Sequence, residues 1–118
     1  MIDHIELRTG RLEACVHFYR TVLAPLGYSL TVNGKTKGFG DAKGHDFFLV
    51  SGEPVDNPHY AFRAPDRATV RICCELGGNL NALDREPALA PHVHPNYYAG
   101  YLRDPDGRLV EFTCHSPE

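Results

Sequence analysis

Arg103-Asp-Pro-Asp-Gly-Arg-Leu-Val-Glu-Phe112 opens as a tight polar turn and continues as the start of an apolar strand. Asp104 to Gly107 carry the turn chemistry, and Leu109 to Cys114 read as the last strand of the chain. Glu111 breaks the pattern. It stands where such a strand places Val or Leu, so the charge faces either water or a partner that needs a negative oxygen.

Reading back from that turn, Tyr97–Leu102 is the preceding strand. The stretch 79–96 holds Pro87, Pro91 and Pro95 and reads as one short strand plus a loop. Before it, Asp66 can cap a helix that stops at Gly77-Gly78, and His59–Arg63 is a strand. The first half has the same order. Residues 2–7 form a strand. Leu12, Cys15, Phe18 or Tyr19, Val22 and Leu23 then recur at three- and four-residue spacing, the stripe of a helix ended by Pro25 and Gly27. Tyr28–Val32, a hairpin at Asn33-Gly34, Thr36–Gly40 and His45–Ser51 complete three strands. Each half is strand, helix, three strands, which predicts one α+β domain of two modules, about residues 1–52 and 57–118. Matching Gly44 to Gly107 places Phe48 opposite Glu111 in the two halves.

The 118 residues carry a net charge of −3, with 42% hydrophobic and 23% charged residues, a composition ordinary for a globular domain. No basic stripe points to nucleic acid, and no apolar run is long enough to span a bilayer. Ile2–Arg8 lacks the pattern of a secretion signal, so a cytoplasmic location is expected. Cys15, Cys73, Cys74 and Cys114 form no CxxC pair and read as reduced thiols.

Three residues stand out for chemistry. His4 and His59 open the two halves, and Glu111 sits on the last strand. If the halves pack as twofold copies, two imidazoles and one carboxylate form a ligand set for a divalent metal with open positions. The other reading is two hydrogen-bonded strand histidines and a solvated glutamate. His92 and His94 are two apart, but Pro91 and Pro95 argue for a loop at the rim of a pocket. Tyr97 and Tyr98 point to opposite strand faces, so one reaches the pocket. His115 lies beyond the last strand and is expected to be exposed. No Ser-His-Asp arrangement, phosphate-cradling loop or nucleotide fingerprint is present.

MIDHIELR with LEACVHFYRTVLAPLGY, HYAFRAPDR, and YLRDPDGRLVEF resemble the module starts and closing hairpin of the vicinal-oxygen-chelate superfamily, which holds glyoxalases, bleomycin resistance proteins and extradiol dioxygenases. The resemblance covers nearly the whole chain. It implies paired βαβββ modules forming a curved mixed sheet around a cavity, often in a homodimer, with His4, His59 and Glu111 as metal ligands. Phe48 stands where glyoxalase-type members carry a further ligand. A site of two histidines and one carboxylate is that of the extradiol dioxygenases, in which His45 would be the acid–base histidine and Tyr101 the active-site tyrosine. Similarity to small members of the family implies a pocket shared by His94, Tyr97 and Tyr98. The resulting expectation is an enzyme using Fe²⁺ or Mn²⁺, with Zn²⁺ or Ni²⁺ as alternatives, on a small oxygen-rich substrate. A dioxygenase-like site is favoured over a glyoxalase-type lyase or isomerase. The competing expectation is a metal-free antibiotic-binding protein of the bleomycin-resistance kind.

Overall fold

The computed structural model describes residues 2–54 and 58–118. The expected module boundary near 52–57 falls partly on residues 55–57, outside the described residues. The first half runs β1 (Ile5–Thr9), α1 (Leu12–Val22), a 3₁₀ turn at Ala24–Leu26, β2 (Ser29–Asn33), β3 (Lys37–Asp41) and β4 (Gly44–Ser51). The second runs β5 (Tyr60–Arg63), α2 (Arg67–Asn79), β6 (Leu83–Leu89), β7 (Tyr98–Arg103) and β8 (Leu109–Cys114).

The strands make two open four-stranded sheets, ordered β1-β4-β3-β2 and β5-β8-β7-β6. Each is mixed: β1 runs parallel to β4, and β5 parallel to β8, while the other pairs are antiparallel. The registers make the repeat concrete. Glu6 pairs with Phe48, and Ala61 pairs with Glu111. His4 thus precedes β1 as His59 precedes β5, and Phe48 occupies the place of Glu111, as the glycine register predicts.

Both helices lie on the same side of their sheets. In α1 the apolar stripe buries Cys15, Phe18, Tyr19 and Val22, and in α2 Val70, Cys73, Cys74 and Gly77 are buried. They meet Phe39, Phe47 and Leu49 of the first sheet and Leu102, Val110, Phe112 and Cys114 of the second in one continuous core. Asp66 caps α2 as expected, its carboxylate accepting from the Thr69 backbone N–H at 2.8 Å.

Three expectations need correction. β1 and β5 start at Ile5 and Tyr60, so His4 and His59 lie just ahead of their strands rather than on them. α2 does not stop at Gly77-Gly78 but runs on to Asn79. The reason is packing: a Cβ on Gly77 would fall 2.4 Å from Leu102 Cδ1, so this glycine lets the helix lie close on β7. The stretch with three prolines contains a strand of seven residues, β6, at the edge of its sheet. An edge strand tolerates Pro87, and the register shifts between Arg85 and Ala88, where the proline lies.

The turn at Asp104–Gly107 is held from inside, with Asp104 buried and Gly107 exposed. Arg108 is 2% exposed and its guanidinium reaches Asp104 Oδ2 at 2.8 Å, Asp106 Oδ2 at 2.9 Å and the Arg8 carbonyl of β1 at 3.0 Å. The Tyr19 hydroxyl of α1 donates to Asp104 Oδ2 at 2.6 Å, so Tyr60 must donate to Tyr19 across their 2.8 Å contact. Burial pushes the Tyr60 hydroxyl up to about 12. This polar plug ties the turn of the second half to the first strand and helix of the chain, and it fixes the start of the strand that carries Glu111.

Candidate functional site

Glu111 lies mid-β8 beside Tyr101 of β7, its cross-strand partner. Residues paired across a sheet share a face, so both point to the side that the helices leave open. Glu111 is nevertheless only 3% exposed. His59, Tyr97 and Tyr101 cover it. His59 Nε2 faces Glu111 Oε1 at 2.8 Å, and the Tyr97 hydroxyl donates to Oε2. The Tyr101 ring lies 6.2 Å from that of His59, and the guanidinium of Arg85, on β6, lies 4.2 Å from the Tyr101 ring centre. Burial first, then the hydrogen bond to Glu111 for Tyr97 and the Glu111 charge for Tyr101, raises the pKa of both hydroxyls, so each remains a proton donor at neutral pH.

His4 and His45 are elsewhere. Both stand edge-on to Phe48, with ring centres 5.5 and 5.8 Å away. His4 also contacts Asp3 Oδ1 at 2.7 Å, and His45 Nδ1 lies 3.3 Å from Thr31 Oγ1. The Phe48 ring leans over Gly38 of β3, where a Cβ would meet it at 2.8 Å. Near this trio, a cleft of about 310 Å³ at the junction of the halves is lined by His4, Tyr28, Asp46, Tyr60 and Arg63. His45 opens onto a neighbouring polar depression shared with Asp3, Asp41 and Lys43.

The expected constellation is therefore divided. The second half brings together His59, Glu111, Tyr97 and Tyr101. The first holds His4 and His45 around Phe48. Among the described residues, no three His, Cys, Asp or Glu side chains group to hold a metal.

Of the two adjacent tyrosines, Tyr97 reaches the site. Tyr98 lies on the opposite face against α2, with the Arg67 guanidinium 5.4 Å and that of Arg71 5.9 Å from its ring centre. His92 is exposed in the loop. His94 packs against Tyr97 and contacts His115, which is half-buried rather than free at the terminus. Strand parity was the available signal, since residues 111, 113 and 115 alternate onto one side. All four cysteines are buried and unpaired. Burial pushes Cys15 up to about 11 and Cys73 and Cys74 up to about 12, so they are unreactive thiols.

No helix among the described residues is long and apolar enough to cross a membrane. No protein-family model matches the chain, and no curated protein matches it. Solved structures do. A glyoxalase/bleomycin resistance protein from Albidiferax ferrireducens T118 superposes with a TM-score of 0.81 at 21% identity, over 95% of this chain and 97% of that one. Fosfomycin resistance protein FosX from Mesorhizobium loti superposes at 0.73 and 18% identity, over 98% and 92%. Lactoylglutathione lyase from Agrobacterium tumefaciens superposes at 0.69 and 23%, over 97% and 92%. With its paired strand–helix–three-strand halves, the chain has the fold of the glyoxalase/bleomycin resistance/dioxygenase proteins, the vicinal-oxygen-chelate fold.

Proposed function

We propose that this chain is a divalent-metal-dependent enzyme acting on a small oxygen-rich organic substrate, with His59 and Glu111 as two of its metal ligands. The observation that carries this reading is the setting of Glu111. It is a buried carboxylate, with no Lys or Arg at ion-pair distance among the described residues, and an imidazole nitrogen faces it at 2.8 Å. A buried charge calls for a compensating partner. Imidazole nitrogen and carboxylate oxygen are donors suited to Fe²⁺, Mn²⁺, Zn²⁺ or Ni²⁺.

In this reading the third ligand is His4 of a second copy, because His4 of the same chain stands with Phe48 and His45 in the other half. The working unit is then a homodimer, each site drawing on opposite halves of two chains. A bound cation would supply Lewis acidity toward neighbouring oxygens of the substrate. Around it, the Tyr101 hydroxyl donates a hydrogen bond to a substrate oxygen and His45 moves a proton. Fe²⁺ or Mn²⁺ and dioxygenase-like chemistry are favoured, because Phe48 supplies no further carboxylate. A lyase or isomerase reaction is the alternative, supported by the likeness to lactoylglutathione lyase.

A second reading has its own observation. Both Glu111 oxygens already have partners, from His59 and Tyr97. That suits a metal-free protein that binds a small molecule, as the names of the bleomycin and fosfomycin resistance proteins suggest for those proteins.

Metal analysis of the purified chain separates the two. The enzyme reading expects stoichiometric metal that disappears in His59→Ala and Glu111→Gln. It also expects metal to return when His4→Ala and Glu111→Gln chains are mixed, since one intact site then forms per mixed dimer. Folded, metal-free wild-type protein overturns it in favour of small-molecule binding.

A further inference from the structure

We propose that His94 and His115 form a neutral imidazole pair that clamps the loop before β7 onto the end of β8, positions Tyr97 against Glu111, and lets go in acid.

The hydrogen bonds determine where the protons are. The backbone N–H of Asn96 donates to His94 Nδ1 at 3.1 Å. That nitrogen must be unprotonated, so a neutral His94 carries its hydrogen on Nε2. His94 Nε2 lies 2.8 Å from His115 Nδ1, and therefore donates to it. His115 in turn keeps its hydrogen on Nε2. The two ring planes are 25° apart, with centres 5.0 Å from each other. Tyr97 stands edge-on to both, 5.5 Å from His94 and 5.0 Å from His115, and its hydroxyl donates to Glu111. A loop residue thus reaches a buried carboxylate because two histidines, 21 positions apart, hold the loop.

Neither ring accepts a second proton without breaking this arrangement. On His94 the proton must go to Nδ1, which displaces the Asn96 N–H. On His115 it must also go to Nδ1, which sets two N–H groups head to head. The charged groups around the pair reinforce this. Burial, Arg63 of β5 and His94 lower the His115 pKa below its ordinary 6.5, while Glu111 of β8 acts the other way and is outweighed. Tyr97, protonated, adds no charge. The folded-state pKa is depressed, so the clamp is complete above the ordinary histidine range and is lost as pH falls below 6.5. His94 and His115 are positioning residues, and their effect on metal rests on the reading of Glu111 as a ligand. The clamp itself does not.

The test is long-range ¹H–¹⁵N spectroscopy of the metal-free full chain from about pH 8 to about pH 5, with Mn²⁺ titrations at neutral pH beside it. Both rings should carry hydrogen on Nε2, and His115 should titrate below 6.5, with the Tyr97 resonances shifting in the same step. His115→Asn keeps an acceptor near the Nδ1 position and has nothing to titrate there. It should hold Tyr97 in place and lose the His115 step of the acid transition, whereas His115→Ala should release Tyr97 at every pH. In Mn²⁺ binding, His115→Ala should lose about tenfold and His115→Asn far less. A neutral His94 ring with its hydrogen on Nδ1, titration of His115 at or above 6.5, or unchanged Tyr97 resonances in His115→Ala overturns the clamp. If the wild-type chain binds no Mn²⁺, the ligand role of Glu111 fails, and the spectra still decide the clamp.

Discussion

Glu111 and Phe48 occupy one place in the repeated register, and the difference between them divides the molecule's chemistry. The carboxylate gathers His59, Tyr97 and Tyr101; the phenyl ring gathers His4 and His45 by edge contacts. Glu111 was legible in the sequence because it interrupts an apolar strand, and His59 because it opens a repeated one. Tyr97 was only half legible. Alternation separates it from Tyr98 without saying which face is the site, and that depends on the face α2 covers. Tyr97→Phe should leave Oε2 of a buried carboxylate without its donor. The expected cost is about 1–3 kcal/mol, readable as a lower urea midpoint at unchanged slope. An unchanged midpoint would show that water replaces the hydroxyl there.

At the scale of elements, the strand order and the cap of α2 followed from local patterns, but the starts of β1 and β5 and the end of α2 did not. Two adjacent glycines are a strong local stop signal, each about 1 kcal/mol worse than Ala in a helix interior. Packing overrides it at Gly77, because α2 can approach β7 only where no Cβ stands between its backbone and Leu102. Gly78, its neighbour, would meet nothing within 4 Å. The two positions should therefore respond oppositely to the same substitution. Gly78→Ala should stabilise by about 0.5–1 kcal/mol through helix propensity. Gly77→Ala gains the same propensity but must push into a fully buried Leu102, and should destabilise by about 1–3 kcal/mol. Thermal melts of the two variants decide it; equal shifts of the same sign would refute the packing account.

Across the whole molecule, the halves are joined by apolar core and by the buried plug of Arg108, Asp104, Asp106, Tyr19 and Tyr60. Removing one partner from a buried ion pair leaves the others uncompensated, so Arg108→Met should cost about 3–5 kcal/mol in denaturant titrations. A loss below about 1 kcal/mol would mean that water enters and solvates the carboxylates. Alkali offers an independent check. The folded-state pKa of Tyr60 is raised from 10 to about 12, so its contribution is complete below pH 10 and is lost as pH rises toward 12. Tyr19 shifts the same way, by burial and then by Tyr60 and Asp104. Unfolding midpoints should therefore fall between pH 10 and about 12, and flat stability across that window would contradict the buried pair.

By itself the sequence determined the repeat, the α+β class and the helical stripes, and it singled out His4, His59 and Glu111 as candidates. These depend on periodicity, turn chemistry and the interruption of an apolar strand, all of them local. Only the tertiary structure decided that His59 and Glu111 face each other, that His4 stands apart from them, that Tyr97 rather than Tyr98 reaches them, that His115 meets His94, and that buried Asp104 and Arg108 anchor a polar turn. Each of those turns on which surfaces two halves of a chain present to each other. Such pairings join residues dozens of positions apart, and no local spacing encodes them.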